Sequence, residues 1–273
     1  MAGNRDSDVE LSVVVPINNE AQSLYRLTKD IVTALRGFHY ELILVDDGST
    51  DDTDAEVKRA RNLLPDLRLL RHSRRRGQSA ALWSGIKVAT APWIATLDGD
   101  GQNDPRDIKA MMSARADQKD ETVKLVMGIR VNRRDTRLRR IQAKIANAIR
   151  SRVLGDGTPD SGCGIRLFAR DTFLAIPKFD HMHLFLPALF QREGARVISI
   201  PVRHYPRRAG RSKYGLPGSG LIDLLGLIWL RRRLVTDPTT LEISSGDEKT
   251  SHRSLDIGMG NHADDPGGGG WRS

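Results

Sequence analysis

The feature that most constrains the fold is a regular alternation. Short apolar runs, each closing on a polar turn, are separated by helix-length segments through the first half of the chain. Strands are expected over 11–16, 41–45 and 67–70, from Trp93, and over 123–127. Helices are expected over 20–35, 51–63, 79–89 and from about Asp107. A later strand is expected over 196–202, and no internal repeat is visible. Strands alternating with helices of this length predict an α/β fold, a doubly wound and mainly parallel sheet flanked by helices. In such sheets ligands bind outside the carboxyl ends of the strands, where strand order reverses.

The turns at those strand ends are acidic. The run Trp93-Ile94-Ala95-Thr96-Leu97 closes on Asp98-Gly99-Asp100-Gly101-Gln102. Side chains two apart on a strand point the same way, so Asp98 and Asp100 are expected to project together. Two hard oxygen donors there suit Mg²⁺ or Mn²⁺, which can in turn hold a diphosphate. The competing structural reading is an Asp/Gly-rich turn leaving a strand. A calcium loop of the EF-hand type starting at Asp98 would need Gly at 103 and Glu at 109; Asn103 and Lys109 exclude it.

The second strand ends Val45-Asp46-Asp47-Gly48-Ser49-Thr50, where Ser49 or Thr50 is expected to cap the next helix. Capping leaves Asp46 and Asp47 unexplained; their carboxylates can accept bonds from the N–H edge of a nucleotide base or from ribose hydroxyls. The first strand closes Pro16-Ile17-Asn18-Asn19-Glu20, read structurally as Asn19 capping a helix with Glu20 in its first turn. A switch point would gather Glu20, Asp47 and Asp98 around one crevice. Like charges repel, and a metal with a sugar nucleotide resolves that repulsion.

Composition narrows the partners. The 273 residues can build a substantial core, and a formal charge of +9 points to anionic partners: phosphates, nucleic acid or an acidic membrane face. Cys163 is the only cysteine, which fits a reducing, cytosolic setting. The polar start lacks the apolar core of a signal peptide, and no apolar run is long enough to span a bilayer. Few aromatic side chains are available for base stacking, so nucleic acid is not the expected partner. From about Thr236 the chain is rich in Gly, Asp and Ser, a composition expected to stay disordered.

Taken together, Val-Pro-x-x-Asn-Glu, Val-Asp-Asp-Gly-Ser-Thr-Asp and Asp-x-Asp-x-Gln resemble a family 2 glycosyltransferase with the GT-A fold. Gly128-Ile129-Arg130, the arginine-rich stretch with Ala146-Asn147, the run from Asp160 to Arg166, and the segment from Arg207 to Tyr214 are similar to the polyprenyl-phosphate branch of that family. That branch includes dolichol-phosphate mannosyltransferase and bacterial undecaprenyl-phosphate sugar transferases. The resemblance spans roughly residues 11–233. It implies a metal triplet of Asp98, Asp100 and Gln102, and donor contacts from Pro16, Asn19, Glu20, Asp46 and Asp47. It also implies Arg130, Arg139, Arg207, Ser212 and Lys213 around the lipid phosphate, with Arg130 beside Asp98 and Asp100 in the catalytic set. Two positions depart from the family: Asn18 where Tyr is frequent, and Gly101 where Leu is common. Many members also continue into transmembrane helices after the Ser-Lys-Tyr segment, unlike this sequence.

The activity so implied is metal-dependent, inverting transfer of a hexose, from GDP-mannose first and a UDP-sugar second, to a dolichyl or undecaprenyl phosphate. A lipid phosphate is already an anion at neutral pH and needs cations more than a general base. A polysaccharide or protein hydroxyl acceptor would need a base, for which Asp160 is the candidate. His181, His183 and His204 are not needed, and a structural histidine is the expected status of His183. Between 130 and 154 an apolar stripe lies beside a basic one, and residues 221–233 carry an apolar face, Trp229 and three arginines. Both suit contact with an anionic membrane. The expected organisation is a disordered 1–10, a catalytic domain over 11–217, an amphipathic interfacial helix over 218–234 and a disordered tail over 235–273. The expected location is cytoplasmic, peripheral at the inner face of the membrane, with a membrane subunit as a further possible partner.

Overall fold

The computed structural model describes residues 9–131, 152 and 154–206 of the chain. Strands β1 (Leu11–Ile17), β2 (Tyr40–Asp46), β3 (Arg68–Arg71) and β4 (Trp93–Thr96) alternate with helices α1 (Ala21–Ala34), α2 (Thr53–Arg61) and α3 (Gln78–Val88). Helix α4 (Asp107–Asp117) leads into β5 (Val123–Val131), followed later by β6 (Arg166–Ala169) and β7 (Arg196–Arg203). Among the described residues these form one sheet in the order β3-β2-β1-β4-β6-β5-β7. Every pairing is parallel except the two made by β6. Strand order reverses between β1 and β4, which is the expected switch point.

Both faces of the sheet are covered, which is why its strands read as continuous apolar runs. Leu11, Val13, Val15, Leu42 and Leu44 pack under Leu24, Ile31, Val57, Ile108 and Met111, from α1, α2 and α4. On the other face Val14, Ile43 and Val45 meet Ala81, Leu82 and Ile86 of α3. That layer is extended by Phe173 and Phe190, from the short helices Arg170–Ala175 and Leu186–Arg192.

The expected elements of the first half are present, most with ends moved by one or two residues. β5 is the exception. It runs on to Val131, so Arg130 is a strand residue and not the start of a helix. Residues 132–151 and 153, the expected basic helix, lie outside the described residues, as do the boundaries at 217 and 234. β6 was not expected. Its four residues begin with a charged side chain and are mostly buried, so they show neither alternation nor a long apolar run.

The two expected helix caps are also corrected. Asn19 adopts a left-handed backbone (φ 54°), and its side-chain oxygen accepts the Thr50 N–H at 2.7 Å. Its own N–H donates to Ser49 Oγ at 2.9 Å. Helix α1 is capped from the neighbouring loop, by Ala21 N–H donating to Asp51 Oδ2 at 3.1 Å. Asp51 Oδ1 accepts the Thr53 N–H at 3.2 Å, the task expected of Ser49 or Thr50. One carboxylate therefore serves two helix starts, and bonds between loops replace the local caps that spacing suggests. The ends of β1 and β2 are locked together as a result.

Helix α3 lies close on the sheet because Gly85 has no side chain. A β-carbon there would fall 2.5 Å from Val14 Cγ1 and 2.9 Å from Val45 Cγ2. Gly85→Val is expected to overpack this contact and cost about 1–3 kcal/mol, read as a lower midpoint in urea unfolding. An unchanged midpoint would show that α3 can lift from the sheet freely.

Candidate active site

β4 stops at Thr96, so Asp98 and Asp100 stand in the turn beyond it and not on the strand as expected. The turn itself makes them converge. Gly101 takes a left-handed backbone (φ 71°), Gln102 N–H donates to Asp100 Oδ1 at 3.0 Å, and Asp98 N–H donates to Asn103 Oδ1 at 2.9 Å. Thr96 faces Arg166 across the β4–β6 pair. Two residues further on, Asp98 lies against Gly164, where a β-carbon would come within 1.9 Å of its carboxylate. Only glycine leaves room for Asp98. Burial and the neighbouring Asp100 push the Asp98 pKa up, while Arg166, Arg130 and a 3.0 Å bond from Gln78 Nε2 oppose the shift.

Neighbouring elements hold this turn in place. Ser23 Oγ donates to Gly99 O at 2.7 Å, and a β-carbon on Gly99 would meet Ile17 Cγ2 at 2.8 Å and Pro16 O at 2.9 Å. Pro16 and the first turn of α1, entered at Glu20, therefore border the acidic turn as the sequence suggests. On the far side Gln102 Nε2 donates to Tyr205 O at 3.1 Å, and Tyr205 N–H donates to Gln102 O at 2.8 Å.

The two acids of β2 differ. Asp46 is fully buried, accepting Ser49 N–H at 2.8 Å and Arg71 Nε at 2.9 Å. Asp47 accepts His72 Nδ1 at 2.7 Å and the N–H groups of Arg76 and Gly77 at 2.7 and 2.8 Å. A carboxylate only accepts, so Nδ1 carries a proton, and His72 Nε2 lies 2.9 Å from Ser84 Oγ. Three bonds leave Asp47 capacity for one more donor.

At the end of β5, Arg130 Nε and Nη2 donate to Asp160 Oδ2 and Oδ1 at 2.8 and 2.7 Å, and its backbone N–H to Oδ2 at 3.1 Å. Burial works most strongly against the Arg130 cation, but the hydrogen bond and charge of Asp160, with Cys163 and Asp98, together outweigh it and the pKa rises. Cys163 is buried, its thiol pushed up to about 12 by burial and by Asp160, so it is no nucleophile at neutral pH. Arg139, Arg207, Ser212 and Lys213 lie outside the described residues. Three participants carried no assigned role in the sequence: Gln78, Ser79 and Arg166. Gln78 and Ser79 open α3, beneath Asp98 and against His183; only the tertiary fold brings them there.

Among the described residues no group of three or more His, Cys, Asp or Glu side chains forms a metal cage. A nucleotide-bound Mg²⁺ or Mn²⁺ needs none, because one or two carboxylates suffice when phosphates and water complete the shell. Asp98 and Asp100 repel each other, a repulsion that a cation between them would relieve. The Gln102 amide, fixed through its Nε2, keeps its oxygen as a further donor.

Residues 12–176 match the family described as Glycosyl transferase family 2. The chain is 36% identical over 233 residues to a dodecaprenyl-phosphate galacturonate synthase of Rhizobium johnstonii, covering 82% of this chain and 68% of that protein. It is 34% identical over 234 residues to an undecaprenyl-phosphate 4-deoxy-4-formamido-L-arabinose transferase of Edwardsiella ictaluri, covering 84% and 68%. Its fold is similar to glucosyl-3-phosphoglycerate synthase from Mycobacterium tuberculosis, solved with Mn²⁺, UDP and glucosyl-3-phosphoglycerate. The TM-score is 0.64 at 17% identity, over 83% of this chain and 81% of that one. That likeness speaks for a GT-A-like architecture, a mixed, mostly parallel sheet flanked by helices.

His183 is 5% exposed, with Nδ1 2.7 Å from Ser79 Oγ. Burial, then Arg166 and His181, drive its pKa down to about 3. The unfolded chain protonates the same ring near pH 6.5. Between about pH 6.5 and 3 the unfolded state thus binds more protons, and stability falls as pH drops, by up to about 1.4 kcal/mol per unit. Urea unfolding at pH 7 and pH 5 should show the parent losing about 2 kcal/mol more than His183→Asn, which keeps an N–H for Ser79. Equal losses would mean that the ring is not held neutral.

Proposed function

The chain belongs to glycosyl transferase family 2 and is a glycosyltransferase, and we propose that it moves a sugar from a nucleotide-sugar to a polyprenyl phosphate. The observation that carries this reading is the state of Asp160. It accepts three bonds from Arg130, so it serves as a counter-ion and not as a base. Transfer to a hydroxyl requires a base to take its proton. A phosphate monoester, with a second pKa near 6, arrives already ionised. The relatives named above act in the same direction, since both names carry a polyprenyl phosphate.

In this reading Asp47 uses its remaining acceptor capacity on the base, and Pro16, Asn19 and Glu20 border the nucleotide. Asp46 supports Asp47 from within the fold. Asp98, Asp100 and Gln102 would hold Mg²⁺ or Mn²⁺, which when bound supplies positive charge for the departing diphosphate. Arg130, kept in place by Asp160, faces the acceptor phosphate and lowers its repulsion for the donor. Arg139, Arg207, Ser212 and Lys213 are proposed to complete that cationic wall. The acceptor then attacks the anomeric carbon in line, with inversion. GDP-mannose was the first expectation, but neither relative names mannose and the solved structure carries UDP, which supports a UDP-sugar.

No helix among the described residues is long and apolar enough to cross a membrane. A lipid acceptor nevertheless requires contact with the bilayer, and we place the enzyme peripherally at its anionic inner face, alone or on a membrane subunit. The test is incubation with undecaprenyl phosphate, Mn²⁺ and a panel of UDP- and GDP-sugars. Sugar-linked lipid should form from a UDP-sugar and disappear with excess chelator or in Asp100→Ala. Transfer to a soluble saccharide with the lipid untouched, abolished by Asp160→Asn, would replace this reading with the hydroxyl-acceptor one.

A further inference from the structure

Arg166 closes the Asp160-Ser161-Gly162-Cys163-Gly164-Ile165-Arg166 segment and is only 2% exposed, heading the largest fully buried side chains. A buried guanidinium is costly unless its charge and its donors are met. Its donors are poorly met. Nη2 donates to Ser161 O at 3.1 Å, while Nε has no hydrogen-bond partner among the described residues. Burial weighs against its charge and holds its pKa below the usual arginine value, while Asp98 first, then Cys163 and Asp160, favour the cation. An arginine kept only for packing could be replaced by an apolar side chain of similar volume at no loss.

The register explains why the charge is directed at Asp98. Arg166 stands opposite Thr96 of β4 and Met127 of β5, so its side chain shares a sheet face with Thr96. Asp98, in the turn just beyond Thr96, rests on Gly164, whose carbonyl accepts from Thr96 Oγ1 at 2.9 Å. Asp100 repels Asp98, and of the two arginines opposing that push Arg166 acts more strongly. No contact ion pair joins Arg166 and Asp98. In a poorly polarisable interior the attraction is still felt across the gap.

We propose that Arg166 is a positioning residue, whose buried charge holds the Asp98 carboxylate in place from the core side against the repulsion of Asp100. Through Ser161 the same side chain ties Asp98 to the loop that carries Asp160, so the donor and acceptor carboxylates share one support. The inference rests on the reading that Asp98 helps hold a metal–diphosphate. Lysine would keep the charge but lose the planar fork that reaches Ser161.

The test is binding of UDP to the full chain by titration calorimetry, with Mn²⁺ and with chelator, for the parent, Arg166→Met and Arg166→Lys. No acceptor or turnover is involved. The metal-dependent gain in UDP affinity is expected to fall about 10–100-fold in Arg166→Met and less in Arg166→Lys. UDP affinity in chelator should stay within about twofold, since base and ribose contacts do not pass through Arg166. A parental metal-dependent gain in the variants, or equal loss with and without Mn²⁺, overturns the proposal. Should Arg166→Met fail to fold, Arg166→Gln, which removes the charge but keeps a donor, decides by the same criterion. A parent that binds neither UDP nor GDP with Mn²⁺ would instead overturn the donor reading on which the proposal stands.

Discussion

The bidentate pair between Arg130 and Asp160 is the joint on which the site depends. It binds the end of β5 to the loop that leads into β6, and Gly162 in that loop lies 3.4 Å, by its β-carbon position, from Arg130 Nη2. Once Asp160 is fixed, the four residues after it are fixed as well. Gly164 is then presented to Asp98, and the Ser161 carbonyl to Arg166. β6 follows in antiparallel register between β4 and β5. A strand running against the rest of the sheet is what carries the Asp160 loop to the carboxyl ends of its neighbours. A parallel strand at the same place would have delivered its amino end to the opposite side.

Electrostatics then sets what the cleft can receive. Three carboxylates, Asp98, Asp100 and Asp160, face two guanidinium groups, Arg130 and Arg166, and burial with Asp100 pushes the Asp98 pKa up. In a poorly hydrated setting that excess is costly, and a divalent cation reverses it. A diphosphate restores the balance, and a second phosphate then meets the arginine side of the cleft. In the proposed function that surplus favours a cation with a diphosphate first, and a further anion after it. In the proposed reading a hydroxyl acceptor fits poorly, because Asp160, the candidate base, is tied to Arg130.

What the sequence made legible, and what it did not, divides along contact range. The alternation of strands and helices, the switch point and the three acidic turns are local patterns, each written within a few residues, and the fold realises them. The cap of α1 escapes spacing rules because Asn19 and Asp51 bond across 30 or so positions, whereas α2 takes its bond from Asp51 only two residues before Thr53. β6 escaped because a short strand enclosed by its neighbours shows no period. Gln78 and Ser79 looked like the ordinary start of a helix; only the packing of α3 on the sheet brings them to Asp98 and His183. Arg166 was visible as part of a motif, but nothing in its neighbours says that it is buried. Burial of a charge is a property of the whole sheet.

The same long-range stitching explains how one frame can serve two substrates. β7 ends in a strap, His204 and Tyr205, paired to Asn103 and Gln102. Asp104 anchors it: despite burial, bonds from Arg106, Arg203 and Tyr205 hold its pKa down to about 2, so it remains a charged clamp at any physiological pH. Asp107 adds a 2.7 Å bond from Arg203 N–H. The acidic turn is therefore held from the β1 side through Ser23, from below by Gln78, and from the β7 side through Gln102. Ser23 and Gln78 need reach no ligand to do this. They remove freedom from the turn before a ligand arrives, so that binding energy goes into aligning donor and acceptor instead of ordering the protein.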